Sequence, residues 1–455
     1  MLSDDVLLTI FLHFMDGSSQ SWPTLVHVSR RWRQIIFASP LGLDLRPHCT
    51  YRTPVLNTQA LDYWSTLPIV VNFGGSPALD PPALEDEDNI TAALKQSGRV
   101  SSISLTVTSS LLEKFSAIKW PFSKLESLIL LSQDSVQLAL PSYFQWGPRL
   151  RRLHLTGIVF PALLQRISSS RGLVDIHLHL HEVSRTDGLS PDAFATALSE
   201  TPRLQSLSLH FPPTTFAVPP PSGERILLPA LTRLNFRGLT GYLEDLVARI
   251  DAPRLGDIEI TFFNDLIYDI QKLGEFIDRI EMQKVHRQAD ILFSERAVSL
   301  SLTQPGVPTC LKLQVFCKTL RLQPFCVAQI CSHFSAFLFR VEDLRISTAR
   351  PSIGQDRSDR GQWLGLIRRF RGTKWFHVAG DHSTNVARAL QLSTEWRETV
   401  LPALHKLCIQ EPEPRYAPLR EAVVLFMHSR WFSGRFIAVE YERLRELRGT
   451  GTTHA

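Results

Sequence analysis

Three histidines occupy alternate positions of one short segment, His177, His179 and His181, with Leu178 and Leu180 between them. Alternation places all three on one side of a strand, and three imidazoles at that pitch are a donor set for a divalent metal. The neighbouring acid, Glu182, falls on the opposite side, so the solvent side of a strand explains the histidines more simply. Cys310, Cys317, Cys326 and Cys331 also gather, but their spacings do not form the paired short knuckles of a zinc site. They read as small buried apolar residues. The run Arg368-Arg369-Phe370-Arg371-Gly372-Thr373-Lys374 encloses an aromatic, as an RNA-touching segment or a nuclear signal can, and reads first as a solvated helix end. No glycine-rich phosphate loop, Gly-x-Ser-x-Gly elbow or His-Glu-x-x-His helix occurs. The sequence therefore predicts a non-catalytic chain with no metal and no cofactor.

Composition narrows the class. At 455 residues the chain can hold two or three domains or one long repeat array, and 44% apolar residues suffice for a large core. A formal net charge of +5 is small for this length, so a nucleic-acid partner is not expected. Six scattered cysteines argue for a reducing compartment rather than a disulfide framework. No signal peptide or bilayer-length apolar run is visible. A cytoplasmic or nuclear protein with no membrane partner is expected.

Two amphipathic patterns open the chain. In LSDDVLLTIFLHFM, Leu2, Val6, Leu7, Ile10 and Phe14 recur at helical spacing, and Ser3 with Asp4 and Asp5 suits a helix start. After the turn DGSSQS a second helix is predicted over WPTLVHVSRRWRQIIFAS. Its apolar face is Leu25, Val28, Trp32, Ile35 and Ile36, with Pro23 in the first turn and Pro40 as the stop. Two helices of this size cannot bury all that surface against each other, and each sequestered Leu, Ile or Trp is worth roughly 1.5–3 kcal/mol. The excess invites a partner.

Leu2-Ser3-Asp4-Asp5-Val6-Leu7-Leu8 through Ile10-Phe11, followed by Leu25, Val28-Ser29-Arg30-Arg31-Trp32-Arg33 and Ile35, resembles the F-box motif. Ser3 stands where that family has Pro, and Asp5 where it has Glu. Ser39–Leu45 and Leu67–Val71 also resemble F-box proteins of mushroom-forming fungi. The resemblance covers residues 2–45. It implies a helical module that docks on a Skp-type adaptor and through it on the cullin of an SCF-type ubiquitin ligase. Leu2, Ser3, Val6, Leu7, Ile10, Leu25, Val28, Arg31, Trp32 and Ile35 would then divide between the module's own core and the adaptor contact.

Past residue 95 a hexad, apolar-x-x-apolar-x-apolar, keeps returning. It is seen at Val100–Leu105, Leu125–Leu130, Leu150–Leu155, Leu173–Leu178, Leu204–Leu209, Leu231–Phe236 and Leu255–Ile260. Later copies are Ala297–Leu302, Cys317–Leu322, Val341–Ile346 and Leu404–Ile409, with Lys374–Val378 a weaker one. The period resembles the leucine-rich repeat, which implies an α/β solenoid with one parallel strand per unit. The apolar pair flanking a single residue shares one side of a strand, and only a stacked neighbour can bury it. Ala162–Ile167, Asp192–Leu198 and Gly241–Ile250 carry helical periodicity between hexads.

The predicted organisation is an F-box module over 1–45, a connector over 46–95, the solenoid over 96–440 and a disordered tail over 441–455. The connector reads as a helix at Leu56–Leu67, a strand at Ile69–Phe73 and a loop at Gly74–Asp88. Phe211–Arg225 and Ser347–Gly361 read as projecting loops.

The third and fifth positions of each hexad face away from the core and line up across neighbouring strands. They predict a target-binding strip of Arg152 and His154, Asp175 and His177, Ser206 and Ser208, Arg233 and Asn235, and Asp257 and Glu259. It continues through Ser299 and Ser301, Thr319 and Arg321, and Asp343 and Arg345. Its mixed sign suits a protein partner better than a polyanion. The expected function is that of a ubiquitin-ligase substrate receptor; a protein-interaction scaffold outside any ligase is the alternative.

Overall fold

The computed structural model describes residues 2–15, 25–38, 48–50, 67–73, 84–116, 121–133, 138–140, 145–159, 162–180, 189–212, 225–263, 268–280, 286–306, 310–349, 360–395, 400–411 and 417–443. The chain is mixed α/β, with largely parallel strands and helical returns, and divides into two compact units, Met1–Gly188 and Leu189–Ala455. No helix among the described residues is long and apolar enough to cross a membrane.

The first unit opens with helices α1 (Asp4–Met15) and α2 (Arg30–Ala38). Its sheet runs through β1 (His48–Cys49), β2 (Ile69–Phe73), β3 (Val100–Val107), β4 (Ser127–Ser132), β5 (Arg152–Thr156) and β6 (Asp175–His179), every pair parallel. The sheet thus begins inside the segment read as a connector. Residues 84–88 of its acidic loop belong to a helix, Leu84–Leu94.

In the second unit the strands are β7 (Ser206–His210), β8 (Arg233–Gly238), β9 (Asp257–Phe263), β10 (Gln288–Phe293), β11 (Ala297–Thr303) and β12 (Cys310–Phe316). They continue with β13 (Asp343–Thr348), β14 (Trp375–Ala379), β15 (Lys406–Glu411) and β16 (Ala438–Arg443). The spatial order is β7-β8-β9-β12-β11-β10-β13-β14-β15-β16. Apolar ladders cross the strands in register, Leu207↔Leu234↔Ile258↔Leu311 and Leu209↔Phe236↔Ile260↔Leu313. All eight residues are buried.

A recurring turn explains the hexad's first apolar residue. The N–H groups of Leu150, Leu173, Leu204, Leu231, Leu255, Val341 and Leu404 each donate to the carbonyl three residues earlier, at 3.0–3.4 Å. That turn drops the side chain into the core. The following N–H then reaches the equivalent carbonyl one coil back: Arg151 to Glu126, Val174 to Arg151, Thr232 to Gln205, and Lys374 to Glu342, at 2.8–2.9 Å.

Three expectations are corrected. The second opening helix is not continuous, because the helical Leu25–Val26 give way to a turn at His27–Val28. Ser29 then starts α2 by accepting the Trp32 N–H on its hydroxyl at 3.2 Å. Cys317–Leu322 is not a strand: Leu320–Leu322 is a 3-10 turn leading into helix Gln323–His333. The strand lies just before it, at β12, where Leu311, Leu313 and Val315 alternate inward. Third, the sheet is not wholly parallel, since β10 and β11 form an antiparallel hairpin between β12 and β13. Ser294 closes its turn, donating to the Ala297 carbonyl from both N–H and hydroxyl at 2.9 and 2.8 Å.

Helices Leu163–Ser168, Pro191–Ser199 and Thr240–Val247 fall on the stretches with helical period. Residues 350–359 and 213–224, most of both projecting loops, lie outside the described residues, as do the turn at 16–21, the fungal-type segment 39–45 and all but the end of Leu56–Leu67. The segment read as a tail begins within β16; 444–455 are outside the described residues.

One helix borrows its cap. Helix Gln271–Asp278 has no side-chain cap from Ile270. Instead the buried Glu244 accepts the Lys272 and Leu273 N–H groups, each at 2.8 Å. Burial pushes this carboxyl up from its ordinary 4.5 despite those donors. Its ionisation therefore opposes folding above the raised value, and that opposition vanishes once the pH falls below 4.5. Glu244→Ala is expected to cost about 1–3 kcal/mol in urea titrations at neutral pH. The wild type should gain on Glu244→Gln as the pH is lowered toward 4.5.

Candidate functional site

The opening helices bury one side and expose the other. Ser3 starts α1, its hydroxyl accepting the Val6 N–H at 3.4 Å and its carbonyl the Leu7 N–H at 3.1 Å. Leu7, Phe11, Leu25, Val26, Ile35, Ile36 and Leu67 form a small core, with Leu8 and Trp32 packed on it. Trp32 lies 4.8 Å from the Phe11 ring, centroid to centroid. Arg31 ties the two helices together, donating to Asp4 Oδ1 at 2.7 and 3.0 Å and to the Leu2 carbonyl at 2.7 Å.

Most of the apolar surface left outside, apart from Leu12 and Phe37, forms a row along the first helix. Leu2, Val6, Ile10 and Phe14, four residues apart, are 53, 44, 45 and 52% exposed, and Val28 is 58% exposed. Residues four apart stack on one side of a helix, so the row is one apolar ridge. Of the ten residues named for adaptor contact, Leu7, Leu25 and Ile35 lie inside the core and Trp32 lies partly buried at its edge. Leu2, Val6, Ile10 and Val28 present free apolar surface, while Ser3 and Arg31 position the helices.

The polar strip is built by register. In the first unit Arg152 pairs with Asp175 and His154 with His177. His154 Nε2 lies 2.6 Å from Asp175 Oδ2, and the two imidazoles sit 5.5 Å apart. His181 lies outside the described residues.

In the second unit Ser208, Asn235, Glu259 and Lys312 occupy successive strands in register, and Arg233 and Asp257 form the row below. Lys312 Nζ meets Glu259 Oε1 at 2.6 Å. Ser208 is buried although it lies on this side. Arg237 lies over Phe263 and Phe316, 5.1 and 5.3 Å from the ring centroids. Further along, Arg345 donates to Asp343 at 2.9 Å, and His377 lies 3.6 Å from the same carboxylate. Burial pushes the carboxyl of the adjacent Asp290 upward. Ser299 and Ser301 sit on the antiparallel β11. Arg321 is corrected: it sits on the 3-10 turn and Thr319 just before it, both off the strands.

Sequence reasoning misses Lys312, Arg237, Asp290 and His377. Lys312 is signalled by the alternation Leu311, Leu313, Val315, which marks a strand more directly than the neighbouring hexad does.

The cysteines offer no exposed nucleophile. Cys317, Cys326 and Cys331 are buried, and burial pushes the Cys331 thiol up to about 12. Thiols held protonated in this way are poor nucleophiles. Among the described residues no three His, Cys, Asp or Glu side chains gather where a metal ion could sit. The surfaces can bind, then, through an apolar ridge and a strip of alternating charge. No family model and no curated protein sequence matches the chain.

Proposed function

We propose that the chain is the substrate-receptor subunit of an SCF-type cullin-RING ubiquitin ligase. In this reading residues 2–45 are an F-box that docks on a Skp-type adaptor, and the hexads form an irregular leucine-rich-repeat solenoid that holds a target protein. The observation that carries it is the ridge Leu2, Val6, Ile10 and Phe14 with Val28, apolar and exposed beside a core already complete without it. Such a row recovers burial energy only against another molecule. Arg31 supports the reading, since its bonds to Asp4 and the Leu2 carbonyl present the ridge rigidly. The chain's contribution to rate is proximity, holding target and ubiquitin-loaded enzyme together. The strip's cross-strand charges would give selectivity and encounter rate.

The test is direct reconstitution. Full-length chain mixed with purified Skp-type adaptor should co-elute as a stable complex and recruit cullin on its addition. A chain that elutes alone with its fold intact would be a scaffold outside the ligase.

A further inference from the structure

One guanidinium in the second unit is held in place by aromatic rings rather than by an acid. Arg237 is exposed on β8 and lies over the rings of Phe263 and Phe316. Those rings are partners in register on β9 and β12 and stack with centroids 5.6 Å apart, 17° from parallel. Among the described residues no carboxylate lies within ion-pair distance of Arg237, and its guanidinium donates to no acceptor. Stacking occupies the face of the group and leaves its in-plane fork of N–H donors open. The side chain is thus ordered before a partner arrives.

The row that contains Arg237 is otherwise uncharged. Register carries it through Thr261, Gln314 and Ser299 to Leu292. Gln314 and Ser299 are half-buried, and Leu292 is 41% exposed. On the other side of Arg237 its partner in register is His210. Burial, joined by the charge of Arg237, lowers that imidazole from its ordinary 6.5 although Asn235 hydrogen-bonds it. From His210 to Leu292 the row therefore holds one positive charge at neutral pH. The row beside it neutralises itself, with Lys312 on Glu259 at 2.6 Å.

A single open fork fits one carboxylate, which a guanidinium meets with two parallel hydrogen bonds. A dianionic phosphate would bring excess negative charge toward Glu259. A nucleic acid fits less well still, because the guanidinium already covers both rings and no second cation follows in the row. At the far end Leu292 offers apolar contact. Four strand spacings separate it from Arg237, about 19 Å, which an extended peptide crosses in about six residues. We propose that this row binds an extended acidic segment of a partner protein, with an Asp or Glu carboxylate on Arg237 and an apolar side chain about six residues away on Leu292. The inference rests on the reading of the strip as a target-binding surface and not on adaptor docking.

The test is selection from a random dodecapeptide library displayed on phage, with full-length chain as bait, then fluorescence anisotropy of the selected peptide. Binders should carry an Asp or Glu about six residues from a large apolar residue. Arg237→Ala should weaken binding about tenfold or more, and so should replacing the peptide's acid by its amide. Made together, the two changes should cost less than their sum, as a direct contact requires. Arg237→Lys should recover little, since an ammonium has no planar fork. Leu292→Ser should weaken binding about threefold or more with the acid still required. Arg237 and Leu292 are exposed, so thermal melts and adaptor capture should match wild type. Binders without an acid, affinity unmoved by Arg237→Ala, or additive losses would overturn the proposal. So would tighter binding of a phosphoserine peptide, or displacement by oligothymidylate. A peptide that loses affinity with Lys312→Ala but ignores Arg237→Ala would overturn this row and leave the strip as the target surface.

Discussion

A chain carrying Val6→Asp and Ile10→Asp should lose adaptor capture while keeping its fold. Both side chains are more than two-fifths exposed and lie outside the core of the opening helices, so charge there costs the isolated chain little. Covering each by a partner is worth roughly 1.5–3 kcal/mol, and removing both should weaken the complex by about a hundredfold or more. Isothermal calorimetry against the adaptor reads the loss, and an unchanged circular dichroism melt shows that the fold survives. Phe11→Ala is the contrasting control: that ring is fully buried against Trp32, so its loss should disrupt the module and capture together. Capture that survives the double aspartate variant would remove the ridge as the docking surface.

The largest stability effect is expected at Trp363. It is fully buried on helix Arg360–Ile367, 5.1 Å from the Phe293 ring and 5.0 Å from His382, which meets Phe293 edge-on at 4.6 Å. Phe293 ends β10, so this cluster fastens the inserted hairpin to the helical layer behind it. Trp363→Ala should cost about 3–5 kcal/mol, the range for emptying a large aromatic site, and Trp363→Phe distinctly less. Urea titration followed by circular dichroism measures both. A loss below about 1 kcal/mol for the alanine variant would show that the cluster does not hold the hairpin.

The parallel strands are legible in the sequence because burial and backbone bonding enforce the same spelling. At Leu150, Leu153 and Leu155 the turn demands the first leucine and the strand demands the other two. The hairpin escapes for a reason visible at His286. In β10 the inward residues are Ala289 and Ile291, and the lead position three residues earlier holds a buried histidine rather than an aliphatic. A pattern scored on hydrophobicity skips that copy, and the next hexad is then taken as parallel. The polar strip is legible by position but not by partner. That Glu259 meets Lys312 follows from β12 lying beside β9 although two strands intervene in sequence.

On the N-terminal helices the sequence shows an apolar surplus without showing its division. Val6 and Leu7 are equally hydrophobic neighbours, and only the position of Leu25, Ile35 and Leu67 decides that Leu7 turns inward. The aromatic inside the basic run, Phe370, is fully buried, which its place in the sequence does not show.

The lead-in turns and their links from coil to coil are made mainly by main-chain N–H and C=O groups, to which the Thr232 hydroxyl adds a bond to the Gln205 carbonyl at 3.1 Å. Side chains such as those of Arg152, Arg233 and Asp257 take no part in that framework. Descendants of this chain can therefore rewrite what the strip recognises, letter by letter, while the scaffold beneath keeps its shape. Over evolutionary time, specificity is free to drift faster than architecture.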